Sequence, residues 1–344
     1  MPTQLKVCNA KFTLGIYTSL SLFKITFMHR LPCFFIVLLL LITSQTAGGK
    51  SSYFSAFGVT IVVADSAAGA RAAGTSDEHT AMLTPFDLAI RMDKEGTTVN
   101  DYLKTAARNA RNWTTLQEGE LRTAFSGMET YLKQQQIKLR LPDTVMLIRT
   151  TAGEEFGAEG WTRGNRIMIN AAAGVSAHLL AHELFHVLSR YDTTVRDAAY
   201  AVFGFKPSNN IAYKEAIPFA ITNPDAPYLA HYVRLNVEGQ QRDAALLLYS
   251  KSGYQSGKGL QDYAALGLLV LEGDDTGKKP LLKKGKPVIY ELDQVPDLFK
   301  KIGGNTQYIL HPEEIAAEHF ATLLTGKSYP QQEYLDGMLR ALKG

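Results

Sequence analysis

The residues with the clearest chemical pattern are His182, Glu183 and His186, in the run His-Glu-Leu-Phe-His. Residues four apart lie on one face of an α-helix, so the two imidazoles can be directed at one point, where a metal ion can bind. Glu183 is placed to take a proton from a water that the metal holds. The spacing therefore predicts a zinc-dependent hydrolase. The alternative is a core helix whose histidines bond to backbone carbonyls.

The residues around this motif predict a helix that is buried in the centre of a domain. The helix carries apolar side chains nearly all round, at Ala177, Leu180, Ala181, Leu184, Phe185, Val187 and Leu188. Buried imidazoles and a buried carboxylate need partners, and a metal ion supplies them. His178 extends the spacing by one turn, but three ligands in a row cannot surround a tetrahedral ion. We expect it behind the ligands or in packing contacts.

A third zinc ligand must come from another element, and residues 308–320 are the best source. Pro312 favours the first turn of a helix and Gly326 favours its end, so we expect a helix from about residue 312 to 325. Glu314 and Glu318 share one face of that helix. Acidic residues near its start, Glu313 among them, also complement the positive end of the helix dipole.

The order of a short strand, the HExxH helix and a later Glu-x-x-x-acid segment resembles the zincin metallopeptidases of the gluzincin, or thermolysin-like, group. In that group the first glutamate of the later segment is the third zinc ligand, and the later acid holds a ligand histidine from behind. The resemblance implies that Glu314 is the ligand and that Glu318 is the partner of His182 or His186.

The chain departs from the pattern of this group in two ways. Glutamate replaces aspartate at position 318, and more than a hundred residues separate the two motifs. Glu313, His311 and Glu318 itself therefore stay open as alternative ligands. The GxMEN motif of aminopeptidases and the third histidine of HExxHxxGxxH are both missing from the sequence, which excludes those two subgroups.

Two short runs before the HExxH helix read as strands, at residues 144–149 and at Arg166–Asn170. The resemblance implies that Arg166–Asn170 is the edge strand that pairs with an extended peptide substrate. The expected fold is α+β, with a zincin-like core of a small mixed sheet, this edge strand, the HExxH helix and the second helix that carries the glutamate ligand.

Zinc hydrolases commonly use a tyrosine or a histidine outside the metal shell to stabilise the oxyanion. Candidates for this role are Tyr228, His231 and Tyr232, which follow the turn at residues 223–227, together with Tyr213. For each of them a packing or surface position is the more common role.

Residues 1–48 contain basic residues and an apolar run after Met28, followed by small polar residues, as in a secretory signal peptide. An uncleaved membrane anchor is the alternative, and it would be the protein's only membrane contact. Both cysteines, Cys8 and Cys33, lie in this leader, so any zinc must be held by His, Asp or Glu. The four basic leader residues exceed the net charge of +3, which leaves the rest at −1. A net charge near zero does not attract nucleic acid, so we expect no nucleic-acid partner.

The sequence therefore predicts three parts: a leader over residues 1–48, a mostly helical part over residues 49–140 and a catalytic region over residues 141–344. We expect an exported zinc metallopeptidase, periplasmic or secreted, with one Zn²⁺ per chain and a peptide or protein as substrate. The alternative is a zincin-fold envelope protein that binds metal or a partner without catalysis. Residues 50–140 are also a candidate pro-segment that shields the cleft.

Overall fold

The computed structural model describes residues 49–344. The leader predicted for residues 1–48, with Met28 and both cysteines, lies outside the described residues. Within residues 49–344 the chain forms one compact unit of mixed helices and strands, as the α+β prediction required. None of the helices described is both long enough and apolar enough to cross a membrane.

The sheet beside the HExxH helix is mixed, and it contains six strands. They are β1 Ser52–Ala56, β2 Val59–Val63, β3 Ala110–Arg111, β4 Thr144–Thr150, β5 Gly160–Arg163 and β6 Arg166–Asn170. The order across the sheet is β1-β2-β4-β6-β5, and β3 pairs with β4. β2, β4 and β6 are parallel, while β5 runs antiparallel to β6.

The edge strand of this sheet is β5, so the prediction for Arg166–Asn170 is wrong in one respect. Those residues form a strand with the expected bounds, but β6 lies between β4 and β5. The two-residue turn Gly164-Asn165, in which Gly164 has a φ of 63°, reverses the chain and places β5 outside β6. Two short runs separated by Gly-Asn are a hairpin signal.

Eleven helices are present in the described residues. They are α1 Ser66–Ala73, α2 Glu78–Met82, α3 Pro85–Met92, α4 Val99–Asn109, α5 Thr115–Gln134, α6 Ala177–Tyr191, α7 Thr193–Ala201, α8 Leu260–Tyr263, α9 Asp297–Ile302, α10 Pro312–Leu324 and α11 Gln332–Lys343. α6 is the HExxH helix, and the Ser176 hydroxyl caps it by accepting from Leu179 N–H at 3.3 Å. α10 is the second expected helix, and it ends one residue before the expected end.

Much of the long segment between α6 and α10 forms a second sheet. Its strands are β7 Phe205–Pro207, β8 His231–Val237, β9 Gln240–Ser250, β10 Ala264–Glu272, β11 Lys279–Pro280 and β14 Ile289–Glu291, and β12 Leu282–Lys283 pairs separately with β13 Lys286–Pro287. The apolar runs at residues 244–249 and 266–271 are thus strands. Of the lysines nearby, Lys278 pairs with Asp243 at 2.6 Å and Lys279 pairs with Glu272 at 3.5 Å.

Residues 49–140 are integral to the fold. β1 and β2 belong to the same sheet as β4, and Leu121 and Phe125 of α5 share one hydrophobic core with Leu184 and Phe185 of α6. The expected division at residue 140 is therefore not seen. Removing these residues would expose the core, which argues against the pro-segment hypothesis.

Candidate metal centre

The α6 and α10 helices pack against each other and bring three ligand atoms together. Phe185 and Phe320 join the two helices, with ring centroids 5.4 Å apart. His182 Nε2 lies 3.1 Å from Glu314 Oε2, and His186 Nε2 lies 3.6 Å from the same oxygen. All three side chains are buried, and their ligand atoms lie within 4.8 Å of one another. These are the three residues that the sequence predicted as metal ligands, and they lie close enough together to hold an ion.

Each histidine is held from behind by a different carboxylate of α10. His182 Nδ1 donates to Glu318 Oε1 at 3.1 Å, and His186 Nδ1 donates to Glu313 Oε1 at 2.8 Å. A bond at Nδ1 fixes the ring and leaves Nε2 for the ion. Glu318 is thus the partner of His182, and Glu313 is a second such partner that the sequence analysis did not assign.

The other alternative ligand, His311, has a different task. Its Nδ1 accepts a hydrogen bond from Glu313 N–H at 3.1 Å and caps α10, and burial lowers its pKa to about 4.

His178 also lies outside the ligand set. Its Nε2 is 3.5 Å from Glu318 Oε2, so it stands behind the ligands as expected.

The residues of this cluster could hold a metal ion. Among the described residues, His186 Nε2 is buried and has no hydrogen-bond partner, although it points at the Glu314 carboxylate. A buried nitrogen without a partner is costly, and a metal ion satisfies it. Two imidazole nitrogens and one carboxylate oxygen, with no thiolate, form a donor set that suits a divalent metal ion such as zinc.

The charges of the site are arranged around Glu314. Burial by itself would raise the pKa of Glu314, but the charges of His186 and His182 and hydrogen bonds from His182 and Asn223 lower it to about 2. Burial opposes a charged His182, yet hydrogen bonds to Glu314 and Glu318 raise its pKa well above the usual value. The cluster therefore holds a carboxylate that is ionised at all physiological pH values.

Glu183 lies on the opposite side of the cluster, against the edge strand β5. Thr162 Oγ1 donates to Glu183 Oε2 at 2.7 Å and fixes that carboxylate. Gly160 leaves the space for it, because a Cβ at that position would stand 2.8 Å from Glu183 Oε1. Burial raises the pKa of Glu183 to about 7, which suits a group that takes and returns a proton near neutral pH.

A loop that the sequence analysis treated only as a turn contributes two further side chains. Asn223 Nδ2 donates to Glu314 Oε1 at 2.5 Å, so it orients the ligand carboxylate. Asp225 Oδ1 accepts from Thr162 N–H at 2.6 Å and lies 3.9 Å from His186 Nε2. Burial raises the pKa of Asp225 well above its usual value, and the charges of nearby carboxylates add to the rise. This side of the site therefore favours an added cation.

The tyrosine beside the metal cluster is Tyr308, which was not among the predicted oxyanion stabilisers. Its ring centroid is 5.8 Å from that of His182. Burial of its hydroxyl raises the pKa of Tyr308 well above the usual value, and the charges of Glu314, Asp225 and Glu183 add to the rise. The hydroxyl thus stays a protonated donor. The signal in the sequence was its place shortly before the ligand helix.

The predicted oxyanion residues occupy other positions. His231 Nε2 bonds to Asp197 at 3.0 Å, and the Tyr232 hydroxyl donates to Asp275 at 2.6 Å, so neither is directed at the cluster. Tyr213 is buried in a separate hydrophobic cluster, and Tyr228 lines a neighbouring cleft. His231 and Tyr232 lie on β8 of the second sheet, and Tyr213 and Tyr228 lie in the segment between β7 and β8.

Comparisons of the chain with models of protein families, with curated proteins and with solved structures found no match. The case for a function therefore rests on the chemistry of the site.

Proposed function

We propose that this protein is an exported, single-zinc metallopeptidase with a zincin-like core. The observation that carries the proposal is the convergence of His182 Nε2, His186 Nε2 and Glu314 Oε2 at one buried point. His182 and His186 are both backed by carboxylates, as is usual for metal-binding histidines. If the metal ion were purely structural, Glu183 would have no chemical role, whereas a hydrolase needs a base at this position.

A bound zinc ion supplies a Lewis acid and lowers the pKa of a water to about 7. Glu183 takes the proton of the attacking water and then delivers a proton to the leaving amine. Thr162 holds the carboxylate of Glu183 in place at 2.7 Å. We assign the stabilisation of the oxyanion to the Tyr308 hydroxyl.

Peptide bonds are the proposed target because the site lies beside an edge strand. β5 pairs on one side only, with β6; on its other side Asp225 covers Thr162, and of the four residues of β5 only Gly160 is not fully buried. Pairing to an edge strand holds an extended peptide backbone in register. Gly160 of β5 lies next to the Glu183 carboxylate, so a peptide held there would have its backbone beside the proton acceptor.

The zinc content of the purified protein tests this proposal first. We expect about one zinc ion per chain in the wild type and severe loss in Glu314→Ala, because that change removes a ligand. Glu333→Ala, which removes an exposed glutamate of α11, is the matched control and should keep its zinc. A wild-type protein that folds stably without zinc, in buffer that contains zinc, would refute the proposal.

The Glu183→Gln variant separates an enzyme from a protein that only binds metal. The variant should keep its zinc, since Glu183 is not one of the three ligands, and it should lose hydrolysis of a peptide library. Persistent hydrolysis in this variant would remove Glu183 from the mechanism. If the zinc-loaded wild type cleaves nothing in the library, the alternative of a metal-binding envelope protein stands instead.

A further inference from the structure

The loop at residues 222–227 closes the edge of β5 directly beside the metal ligands. Thr162 lies on the edge strand, and its N–H donates to Asp225 Oδ1 at 2.6 Å. A paired peptide would need that N–H. The same Asp225 oxygen is 3.9 Å from His186 Nε2. A substrate that pairs with β5 as an extended strand would therefore reach the loop within a short distance of the ion position.

The loop is anchored by buried charged side chains. Asp87 accepts from Thr222 N–H at 2.8 Å, and Arg91 donates to the Thr222 carbonyl at 2.6 Å. Asp87 and Arg91 are buried and pair with each other at 2.8 Å. Arg190 donates to the Pro224 carbonyl at 2.6 Å. Displacing the loop would break these hydrogen bonds together and leave buried polar groups with fewer partners, so the closure is a fixed part of the site.

The closed end is lined by two carboxyl groups, those of Asp225 and Glu183. Ligand atoms of Asp225, Glu183 and His186 lie within 4.8 Å of one another. This group shares His186 with the group of His182, His186 and Glu314, so the Asp225 carboxyl group lies next to the proposed ligands. A peptide carboxylate would be repelled there, whereas an α-ammonium group would gain a charge-assisted hydrogen bond.

We propose that the substrate is the free N-terminus of a peptide and that the protein removes one N-terminal residue at a time, with Asp225 binding the α-ammonium group. This inference rests on the proposed function. In the reaction, the oxygen of water joins the carbonyl carbon of the first residue, and the C–N bond to the second residue breaks. A proton passes to the leaving nitrogen, so the products are one amino acid and a peptide shorter by one residue.

The first test compares leucine p-nitroanilide with its N-acetylated form on the zinc-loaded protein. The wild type should favour the free amine by about 30-fold or more in kcat/KM, because one charge-assisted hydrogen bond accounts for a factor of this size. Asp225→Asn should lose most of that preference, mainly through KM, and keep its zinc. Asp336→Asn, which changes an exposed aspartate on α11, is the matched control and should behave like the wild type.

A binding measurement on the zinc-loaded Glu183→Gln variant tests the same inference without turnover. Calorimetry with Leu-Gly-Gly and with acetyl-Leu-Gly-Gly should show tighter binding of the free tripeptide by about 10-fold or more. The double variant Glu183→Gln/Asp225→Asn should bind both tripeptides equally. Equal binding already in the single variant would overturn the assignment of Asp225.

The outcomes distinguish this inference from the proposed function. Cleavage of internal bonds in N-acetylated peptides, as fast as removal of terminal residues, would overturn the inference and leave the metallopeptidase proposal standing. Faster hydrolysis and weaker zinc binding in Asp225→Asn would also overturn it, since Asp225 would then be an inhibitory metal ligand. Zinc-loaded wild-type protein that hydrolyses no substrate would refute the proposed function, and the tripeptide measurement would still decide the role of Asp225.

Discussion

Glu313 offers the sharpest test of how the metal centre is held. Its carboxylate accepts hydrogen bonds from His186 Nδ1 at 2.8 Å, from Ser189 Oγ at 2.5 Å and from the Tyr200 hydroxyl. Only 2% of the Glu313 side chain is exposed, against 21% for Glu318, which holds the other histidine. Glutamine at position 313 keeps the shape of the side chain and removes the charge that all three donors face.

The exposed fractions of the Glu313 and Glu318 side chains determine how much each substitution should weaken zinc binding. Losing a carboxylate behind a metal-binding histidine weakens metal affinity by about 10- to 100-fold. Water screens Glu318 more than Glu313, so we place the variants at opposite ends of that range. The zinc Kd should rise about 100-fold in Glu313→Gln, or about 2.8 kcal/mol, and about 10-fold in Glu318→Gln, or about 1.4 kcal/mol.

Competition with a chromophoric zinc chelator at fixed pH measures both dissociation constants. Circular dichroism of each variant checks that α6 and α10 are intact, and Glu333→Gln on α11 controls for the loss of an exposed glutamate. Two results would refute the reasoning: wild-type zinc affinity in Glu313→Gln, or a larger loss in Glu318→Gln than in Glu313→Gln. Either would mean that burial does not set the strength of these contacts.

Three further predictions follow from single contacts. Gly160→Ala should lower kcat by about 10-fold or more without loss of zinc, because the new Cβ displaces the Glu183 carboxylate; equal kcat would refute the contact. Tyr308→Phe should lower kcat/KM by about 100-fold, whereas Tyr232→Phe should leave it unchanged, as steady-state rates will show. Asp77→Asn should cost about 3 kcal/mol in urea unfolding at pH 7, since two arginines pair with this carboxylate. Burial opposes ionisation, but Arg163 lowers the Asp77 pKa below 3.8, so this stabilisation is complete above that value and is lost as the pH falls through the lower folded pKa.

The parts of the site that follow from local signals could be predicted from the sequence. His182, Glu183 and His186 are fixed relative to one another by the period of one helix, and the structure places them on α6. Pro312 and the later glycine marked the bounds of α10. Glu314 and Glu318 could then be predicted because they share one face of that helix and because the segment resembles a known arrangement of ligands.

The residues that the sequence did not predict depend on contacts between distant segments. Asp225 meets Thr162 across 63 residues, and Asn223 meets Glu314 across 91 residues. Neither pair has a periodic signal, because a loop is held by whatever it packs against. Tyr308 was passed over for the same reason, since its ring reaches His182 only through the packing of α10 on α6. The edge strand was assigned wrongly because a two-residue turn joins β5 and β6, and the sequence does not show which of the two strands lies at the edge of the sheet.

The distance along the chain between the ligands has a consequence for biosynthesis. His182 and Glu314 are separated by 132 residues, and every carboxylate that contacts the histidines from α10 comes late in the sequence. A growing chain that has emerged as far as the HExxH helix carries the proton acceptor and two ligands, but it lacks the third ligand and both supports. It cannot hold zinc tightly at that stage. The proposed enzyme would thus stay inert until synthesis of the chain is almost finished.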